Sequence, residues 1–235
     1  LDVIMDALDL MAAPGAKQVV LFVIDLYDAL YLLYLCPEEL KYYVVKYSGK
    51  WIAYRRVVQG SKNGPQLFGR LSAMATRLTQ ATIGQDFMRQ STYTDDPVAV
   101  IAGSTHDIQL VVTKLVLLWV SLGIALAYAK GQLGSMICWV GHDITVDHAA
   151  GVVICTIKAD FMAQLLQTTK ELLANNVISM KDLRSYAGSA NHVANMIWAW
   201  RPFLSELWAA IESQPADKHK SNAPVNCVWT SQVRH

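Results

Sequence analysis

The sequence predicts an α+β fold, in which strands and helices interleave first and a helical region follows. Three observations support this prediction. An apolar run at 18–26 is typical of a strand covered on both faces, strand-like segments flank turn residues between 41 and 153, and residues beyond 159 have helical spacing. With 235 residues, the chain is long enough for one large domain or two small ones.

Strand signals recur after this first run. Residues 41–58 predict a hairpin, because strand-like YYVVKY and WIAYRRV flank the turn residues Ser48-Gly49-Lys50. Residues 87–100 predict a second hairpin, folded about Thr94-Asp95-Asp96. Residues 135–153 return to β-type composition.

Helix signals lie between and after these strands. The spacing over 65–82 predicts a helix with four apolar side chains on one face, namely Leu67, Leu71, Met74 and Leu78. A second helix, amphipathic and then buried, is predicted for 105–122. Beyond 159 the pattern is helical, and Ser179 stands three residues before Asp182 as a capping signal.

Composition and charge exclude several classes of protein. The net charge is only +1, which excludes a globally basic nucleic-acid-binding protein but leaves a local basic groove open. The four cysteines are scattered without a CxxC pair, so neither a zinc site nor a disulfide framework is indicated. We therefore expect a reducing, intracellular compartment.

A membrane protein is not expected. The uncharged run LVLLWVSLGIALAYA at 115–129 falls short of the roughly 18–20 residues that span a bilayer, and it is better explained as a buried helix followed by a strand. Residues 1–17 carry three aspartates and no basic segment, unlike a signal peptide. We expect the chain to be a fragment of a longer protein.

Two groups of acids stand out. Asp25 and Asp28 interrupt the apolar run, where a buried carboxylate is costly unless it is paired or binds a cation. Asp95 and Asp96 lie at the tip of the second predicted hairpin. An edge strand with its acids in water and an ordinary solvated turn are the structural alternatives. Taken together, the acids predict an all-oxygen site suited to Mg²⁺, where two ions could support phosphoryl transfer.

Segments that resemble the sequence motifs of a known family occur in order along the chain. They are FVIDLYDA at 22–29, VQGSKNGPQLF at 58–68, YTDD at 93–96, LGIALAYAKG at 122–131, CWVG at 138–141, and LRSYAG at 183–188 with WRPF at 200–203. Their order resembles the palm and thumb of reverse transcriptases from retroelements with long terminal repeats. The resemblance runs from about residue 19 to 211.

The resemblance implies a right-hand polymerase fold: a palm, which is an antiparallel sheet backed by helices, followed by a helical thumb or connection. On this basis 1–18 would be a remnant of the fingers or a leader, and 19–155 the palm. Residues 156–213 would form the helical thumb or connection. Residues 214–235 would form a linker toward a missing RNase H domain.

The resemblance also implies site residues. Asp25, Asp95 and Asp96 would be the catalytic carboxylates, and with the Leu26 carbonyl they would bind two Mg²⁺ ions, or Mn²⁺ in their place. The nucleotide site would comprise Asp28, Ala29, Leu30, Gln59, Gly60 and Lys130. Leu30 stands where the family usually has an aromatic residue that excludes a ribose 2′-hydroxyl, which predicts weaker sugar discrimination. The primer and template would meet Tyr93, Trp139 and Gly141.

The function implied is an RNA-directed DNA polymerase whose partners are an RNA or DNA template with its primer and a deoxynucleoside triphosphate. A second hypothesis is a truncated, inactive retroelement remnant that keeps the fold and binds nucleic acid through the 41–62 hairpin and the thumb. A third is an unrelated helical interaction or membrane protein. Taken singly, Gln59-Gly60 fits an ordinary loop, Lys130-Gly131 a helix C-cap and Trp139 a core residue.

Overall fold

The computed structural model describes residues 2–15, 18–212 and 223–233. The chain divides into two compact units, Asp2–Cys155 and Thr156–His235. Among the described residues, the first unit combines antiparallel sheets with α-helices, and the second consists mainly of helices.

The first unit is built on one main sheet. Its helices are α1 (Asp2–Ala12), α2 (Gly64–Ile83) and α3 (Thr105–Ser121). The strands are β1 (Val19–Leu26), β2 (Val44–Tyr47), β3 (Lys50–Ala53), β4 (Met88–Tyr93), β5 (Asp96–Ala102), β6 (Leu126–Gly134), β7 (Met136–Trp139), β8 (His142–Asp147) and β9 (Val152–Ile157), the last of which runs across the unit boundary. The main sheet has the order β4-β5-β1-β6, β2 pairs with β3, and β7-β8-β9 form a third sheet.

Strand β1 lies inside the main sheet, and its side chains alternate between two cores. Even-numbered residues of 20–26 enter one core and odd-numbered residues of 19–23 enter the other, as the two-residue period of a strand requires. Phe68 of α2 and Trp119 of α3 lie in the first core, whereas Leu10 of α1 lies in the second. The predicted strand covered on both faces is therefore confirmed.

The residues before β1, interpreted above as a fingers remnant or leader, include helix α1. This helix buries three residues on one face: Val3, Ala7 and Leu10. Arg89 of β4 pairs with Asp9 of α1, with Nη1 to Oδ2 at 2.8 Å. Helix α1 therefore belongs to the core of the first unit.

Helix α2 forms where its spacing predicts, but it buries a different set of side chains. Of the four predicted residues, Leu67, Met74 and Leu78 are exposed, and Leu71 is partly buried against the first core. The buried residues are smaller or carry hydroxyl groups, apart from one phenylalanine: Gly64, Phe68, Ser72, Ala75, Thr76 and Thr79. Small side chains let α2 approach β4 and α3 closely, so the packing distance rather than hydrophobicity alone selects the buried face.

Strands β2 and β3 form the first predicted hairpin. Its turn residues Ser48 and Gly49 both have positive φ, at 49° and 76°, as a tight two-residue hairpin turn requires. All eight strand residues are exposed. The hairpin therefore presents both of its faces away from the core of the unit.

The second unit contains α4 (Ala159–Ala174), β10 (Val177–Ser179), α5 (Met180–Ala194), α6 (Arg201–Glu212) and β11 (Cys227–Trp229). The Ser179 hydroxyl accepts a hydrogen bond from the Asp182 backbone N–H at 3.1 Å, which confirms the predicted cap of α5. Of the segment 214–235 interpreted as a linker, residues 214–222 and 234–235 lie outside the described residues. Its strand β11 pairs with β10.

Within the described ranges, no helix is long and apolar enough to cross a membrane. The uncharged run at 115–129 is instead divided between the end of α3 at Ser121 and the start of β6 at Leu126. This is the helix followed by a strand that the sequence predicts.

Thr79 and Trp119 give a test of the packing between α2 and α3. The Trp119 indole Nε1–H donates to the Thr79 hydroxyl at 2.7 Å, and both residues are fully buried. We expect Thr79→Val to lower the free energy of unfolding by about 1–3 kcal/mol, because the indole N–H would lose its acceptor without gaining water. Urea unfolding followed by tryptophan fluorescence measures this change.

Thr82→Val is the matched control, because the Thr82 hydroxyl donates to the Leu78 carbonyl at 2.8 Å on the exposed side of the same helix. It should change stability by no more than about 0.5 kcal/mol. Equal losses in the two variants would contradict the importance assigned to the buried contact.

Candidate active site

The predicted acidic hairpin is formed by β4 and β5. Tyr93 pairs with Asp96, so Thr94 and Asp95 alone make the turn. Thr94 has φ of 54°, which is an unfavourable value for a β-branched residue. Backbone strain of this kind is concentrated at functional sites in proteins. The turn presents Asp95 and Asp96 at one end of the main sheet.

The pairing of β1 with β5 brings Asp25 to the same end. The strands are antiparallel, and Val23 is the partner of Val98. Continuing this register by two positions aligns Asp25 with Asp96. Residues more than 70 positions apart in the chain are thus brought together by sheet topology.

Lys130 reaches the same carboxylates from β6. Its Nζ donates a hydrogen bond to Oδ2 of Asp25 and forms an ion pair with it. The lysine side chain is 69% exposed, whereas that of Asp25 is only 22% exposed. The sequence resemblance assigned Lys130 to the nucleotide, and the structure places it on a carboxylate.

The charged side chains at this end of the sheet interact electrostatically; they are Asp25, Asp95, Asp96 and Lys130. Burial raises the pKa of Asp96, and the negative charges of Asp95 and Asp25 raise it further, while Lys130 lowers it. The pKa of Lys130 is raised, chiefly by its hydrogen bond to Asp25 and by the charge of that residue, with smaller contributions from Asp96 and Asp95. These four side chains therefore form one electrostatic group.

Trp139 fixes the position of the acidic turn. Its indole Nε1–H donates to the backbone carbonyl of Asp96 at 2.9 Å. Gln132 in turn fixes the strand that carries Trp139, because its amide oxygen accepts from Cys138 N at 2.8 Å and its amide nitrogen donates to Cys138 O at 3.1 Å. Sequence reasoning did not select Gln132; a polar side chain within a β-type segment was the available signal.

The structure places the predicted nucleotide residues on two neighbouring elements. Asp28 has φ of 51° and precedes a short 3₁₀ helix, Ala29–Leu32. Leu30 points toward the start of α2: a Cβ built on Gly64 would lie 3.6 Å from Leu30 Cδ2. The 3₁₀ helix at 29–32 and the start of α2, distant in sequence, thus meet in the fold.

The remaining predicted residues lie in turns or within the main sheet. Gln59 and Gly60 form a turn before α2, with φ of Gly60 at 90°. Leu26 is buried and pairs with Leu126. Gly141, with φ of 76°, makes the turn that joins β7 to β8.

The aspartates supply the oxygen donors that Mg²⁺ prefers, but they do not form a complete ligand set. No three Asp, Glu, His or Cys side chains of residues 2–15, 18–212 and 223–233 are gathered closely enough to hold one metal ion. One oxygen of Asp25 is engaged by Lys130. The chemistry of the donors fits a divalent cation, whereas their arrangement in this structure does not.

The fold resembles solved reverse transcriptase structures. Foamy viral protease-reverse transcriptase in complex with an RNA/DNA hybrid matches 97% of this chain with a TM-score of 0.57 and 17% identity. Two complexes of that viral enzyme with double-stranded DNA match 97% and 92% of this chain, each with a TM-score of 0.58 and 17% identity. No family model matches the sequence, and no curated protein does.

These similarities define the fold of the chain. It is α+β, with antiparallel sheets and a helical region, and its architecture is that of a reverse transcriptase, as the sequence predicted. The chain spans 28–40% of the length of the three solved chains.

The raised pKa of Asp96 predicts a pH-dependent effect on stability. Because the folded chain favours the protonated acid, ionised Asp96 costs stability above its folded pKa, and this cost shrinks as the pH falls below that value and is absent below the pKa of the unfolded chain. Asp96→Asn should therefore raise the free energy of unfolding at pH 7.5 by about 0.2–1 kcal/mol, a small value because the group is partly solvated and screened. Urea unfolding without divalent cations measures the difference.

The gain should shrink when the same measurement is made at pH 4.5. Asp86→Asn, at an exposed turn before β4, is the control and should show neither the gain nor its pH dependence. An Asp96→Asn variant less stable than wild type at pH 7.5 would contradict the repulsion among the three carboxylates.

Proposed function

We propose that the chain is the palm and the helical thumb or connection of an RNA-directed DNA polymerase from a retroelement with long terminal repeats. The observation that carries this proposal is the meeting of Asp25 with the Asp95–Asp96 turn at one end of the main sheet, within a reverse transcriptase fold. The reaction is attack of a primer 3′-hydroxyl on the α-phosphorus of a deoxynucleoside triphosphate, with pyrophosphate as the leaving group.

In this proposal Asp25, Asp95 and Asp96 would hold two Mg²⁺ ions, or Mn²⁺ in their place, with the Leu26 carbonyl as a further ligand. A bound divalent cation supplies charge neutralisation at the reacting phosphate. The protein contributes positioning: Trp139 holds the carbonyl of Asp96, so the acidic turn stays in place relative to β7.

The nucleotide would occupy the surface where the 3₁₀ helix at 29–32 meets the start of α2. Backbone N–H groups of Asp28 and Ala29 would bind the triphosphate, and Gln59 and Gly60 would line the sugar and the templating pair. Leu30 would lie beside the sugar in place of an aromatic residue, so we expect weaker discrimination against a ribose 2′-hydroxyl.

The template and primer would contact the opposite side of the acidic turn. Tyr93 is 57% exposed beside the turn, and Trp139 and Gly141 lie at the end of the β7–β8 hairpin. The similar viral enzyme has been solved with an RNA/DNA hybrid and with double-stranded DNA, which supports an RNA or DNA template with its primer as the partner here. We place the reaction inside the cell, where a reducing environment suits scattered cysteines.

Primer extension tests the proposed reaction. We expect the chain to extend a DNA primer on an RNA template in the presence of Mg²⁺, and Asp95→Asn to lower the rate about a hundredfold or more, because the metal ions would lose a charged ligand. Denaturing gels that resolve extension products measure the rate.

Asp86→Asn serves as the control for loss of one negative charge near the same hairpin, and it should extend the primer at the wild-type rate. Extension that survives Asp95→Asn, or that needs no divalent cation, would overturn the assignment of the site.

A second function, binding of nucleic acid without turnover by a truncated remnant, is favoured by the exposed β2–β3 hairpin. Trp51 is 72% exposed and Tyr47 71% exposed. Lys46 Nζ lies 5.7 Å from the centroid of the Trp51 ring. Exposed aromatic rings among lysines suit single-stranded nucleic acid, because bases stack on the rings and phosphates pair with the ammonium groups.

We expect Trp51→Ala to weaken binding of a fluorescent single-stranded oligonucleotide about fivefold or more, because a stacked base would lose its platform. Phe87→Ala, at another exposed aromatic residue of this unit, is the control and should leave affinity unchanged. Fluorescence anisotropy gives both dissociation constants. Equal affinities of wild type and Trp51→Ala would exclude the hairpin as a contact, whether or not the chain extends primers.

A further inference from the structure

The segment that follows the 3₁₀ helix at 29–32 is tied to the segment that precedes Gln59. Tyr34 and Arg56 form an isolated antiparallel bridge. Two backbone hydrogen bonds, of 3.0 and 3.1 Å, join 33–35 to 55–57 on either side of this bridge. The chain is therefore fastened directly after the 3₁₀ helix ends.

The side chain of Arg56 adds three contacts to this backbone connection. Its Nη1 donates to the backbone carbonyl of Tyr31, the third residue of the 3₁₀ helix, at 2.6 Å. Its Nη2 donates to the Tyr34 hydroxyl, and its Cζ lies 3.8 Å from the centroid of the Tyr34 ring. The planar fork of a guanidinium can make these contacts together, whereas a single ammonium group cannot.

The 3₁₀ helix has little stability of its own. It is four residues long, and the hydrogen bonds of this helix type have poor geometry. The chain enters it through Asp28 at φ of 51°, a left-handed conformation that is less favourable for residues other than glycine. Carbonyl groups in the last turn of a helix need donors from outside, and Arg56 supplies one to Tyr31.

The helix held in this way carries Leu30, which the proposed function places beside the nucleotide sugar. Leu30 packs against the first core. A Cβ built on Gly64 would lie 3.6 Å from Leu30 Cδ2 and 3.2 Å from Val57 Cγ1, so both side chains approach the start of α2. Apolar packing thus fixes the side chain of Leu30, while the guanidinium of Arg56 fixes the backbone of the next residue, Tyr31.

We propose that Arg56 is a positioning residue for nucleotide selection, which holds the 3₁₀ helix so that Leu30 keeps one position beside the sugar. The proposal rests on the proposed function, and it assigns Arg56 no contact with a substrate. A site rejects an extra hydroxyl group only when the surface against which that group clashes is held in place. Loosening the helix should therefore lower the discrimination that Leu30 provides against a ribonucleotide.

Amide hydrogen exchange on the full chain gives the first readout and needs no polymerase activity. Arg56→Lys keeps the positive charge but loses the planar fork. The Leu33 N–H, which donates to the Leu30 carbonyl at 3.1 Å, should exchange about tenfold faster in this variant. The amides of β4, in the main sheet, should keep their wild-type rates.

Arg77→Lys is the matched control, because Arg77 makes the same type of contact elsewhere. Its Nε donates to the Ala73 carbonyl at 3.3 Å on the exposed side of α2. The variant should leave the exchange rate of Leu33 unchanged.

Single-nucleotide primer extension gives the second readout. For wild type and both variants, we would measure kcat and KM with a deoxynucleoside triphosphate and with the matching ribonucleoside triphosphate. In Arg56→Lys the preference for the deoxynucleotide, as the ratio of the kcat/KM values, should fall about threefold or more, chiefly through a lower KM for the ribonucleotide. Arg77→Lys should keep the wild-type ratio.

A second variant decides the question if Arg56→Lys disturbs the whole unit, which faster exchange of the β4 amides would reveal. Tyr34→Leu removes the ring and hydroxyl that orient the guanidinium, and Tyr34 is 72% exposed, so its replacement puts folding at little risk. Both readouts should shift in the same direction as in Arg56→Lys, by a smaller factor, and the same criteria apply.

The outcomes separate positioning from other roles. Faster exchange at Leu33 with an unchanged nucleotide preference would overturn the proposal, because Arg56 would then stabilise the helix without influencing selection. Unchanged exchange at Leu33 would also overturn it, since Arg56 would not hold the helix. An equal rise of KM for both nucleotides would overturn it in favour of a direct contact between Arg56 and the triphosphate.

Failure of the proposed function is distinguishable from these results. A wild-type chain that extends no primer would overturn the proposed function and, with it, the role of Arg56 in selection. The exchange rates would still show whether Arg56 holds the 3₁₀ helix.

Discussion

The structure of the first unit depends on the burial of β1 on both faces. An eight-residue apolar strand with no solvent-facing side needs helices on one face and further structure on the other, and it needs a paired strand at each edge. Strands β5 and β6 supply those edges. Because Asp25 is the one acid within β1, the same burial that stabilises the sheet delivers its carboxylate to the strand end where the β4–β5 turn and the bulge of β6 at 128–131 meet.

Partial burial of Asp96 raises its pKa, and the negative charges of Asp95 and Asp25 raise it further, so bringing these acids together costs stability. The chain offsets part of this cost with Lys130 and holds the turn by its backbone, through the hydrogen bond from Trp139. The carboxylates are therefore positioned by contacts that leave most of their oxygen atoms available.

Sequence signals predicted correctly those elements whose structure is set by neighbouring residues in the chain. The β2–β3 and β4–β5 hairpins and the cap at Ser179 follow from short patterns of turn residues and alternation. Features set by tertiary packing were not accessible: the bulge at 128–131 depends on the register between β1 and β6, and the buried face of α2 depends on how closely it approaches α3. The resemblance in ordered motifs selected the aspartates that the sheet brings together, but no pattern could show that Lys130 contacts Asp25.

The most direct measurement is a crystal structure of the chain with Mn²⁺ and a primer–template, using anomalous scattering to locate the metal. We predict an anomalous peak beside the carboxylates of Asp25 and Asp95. An anomalous map without a peak at these aspartates would contradict the proposed polymerase site.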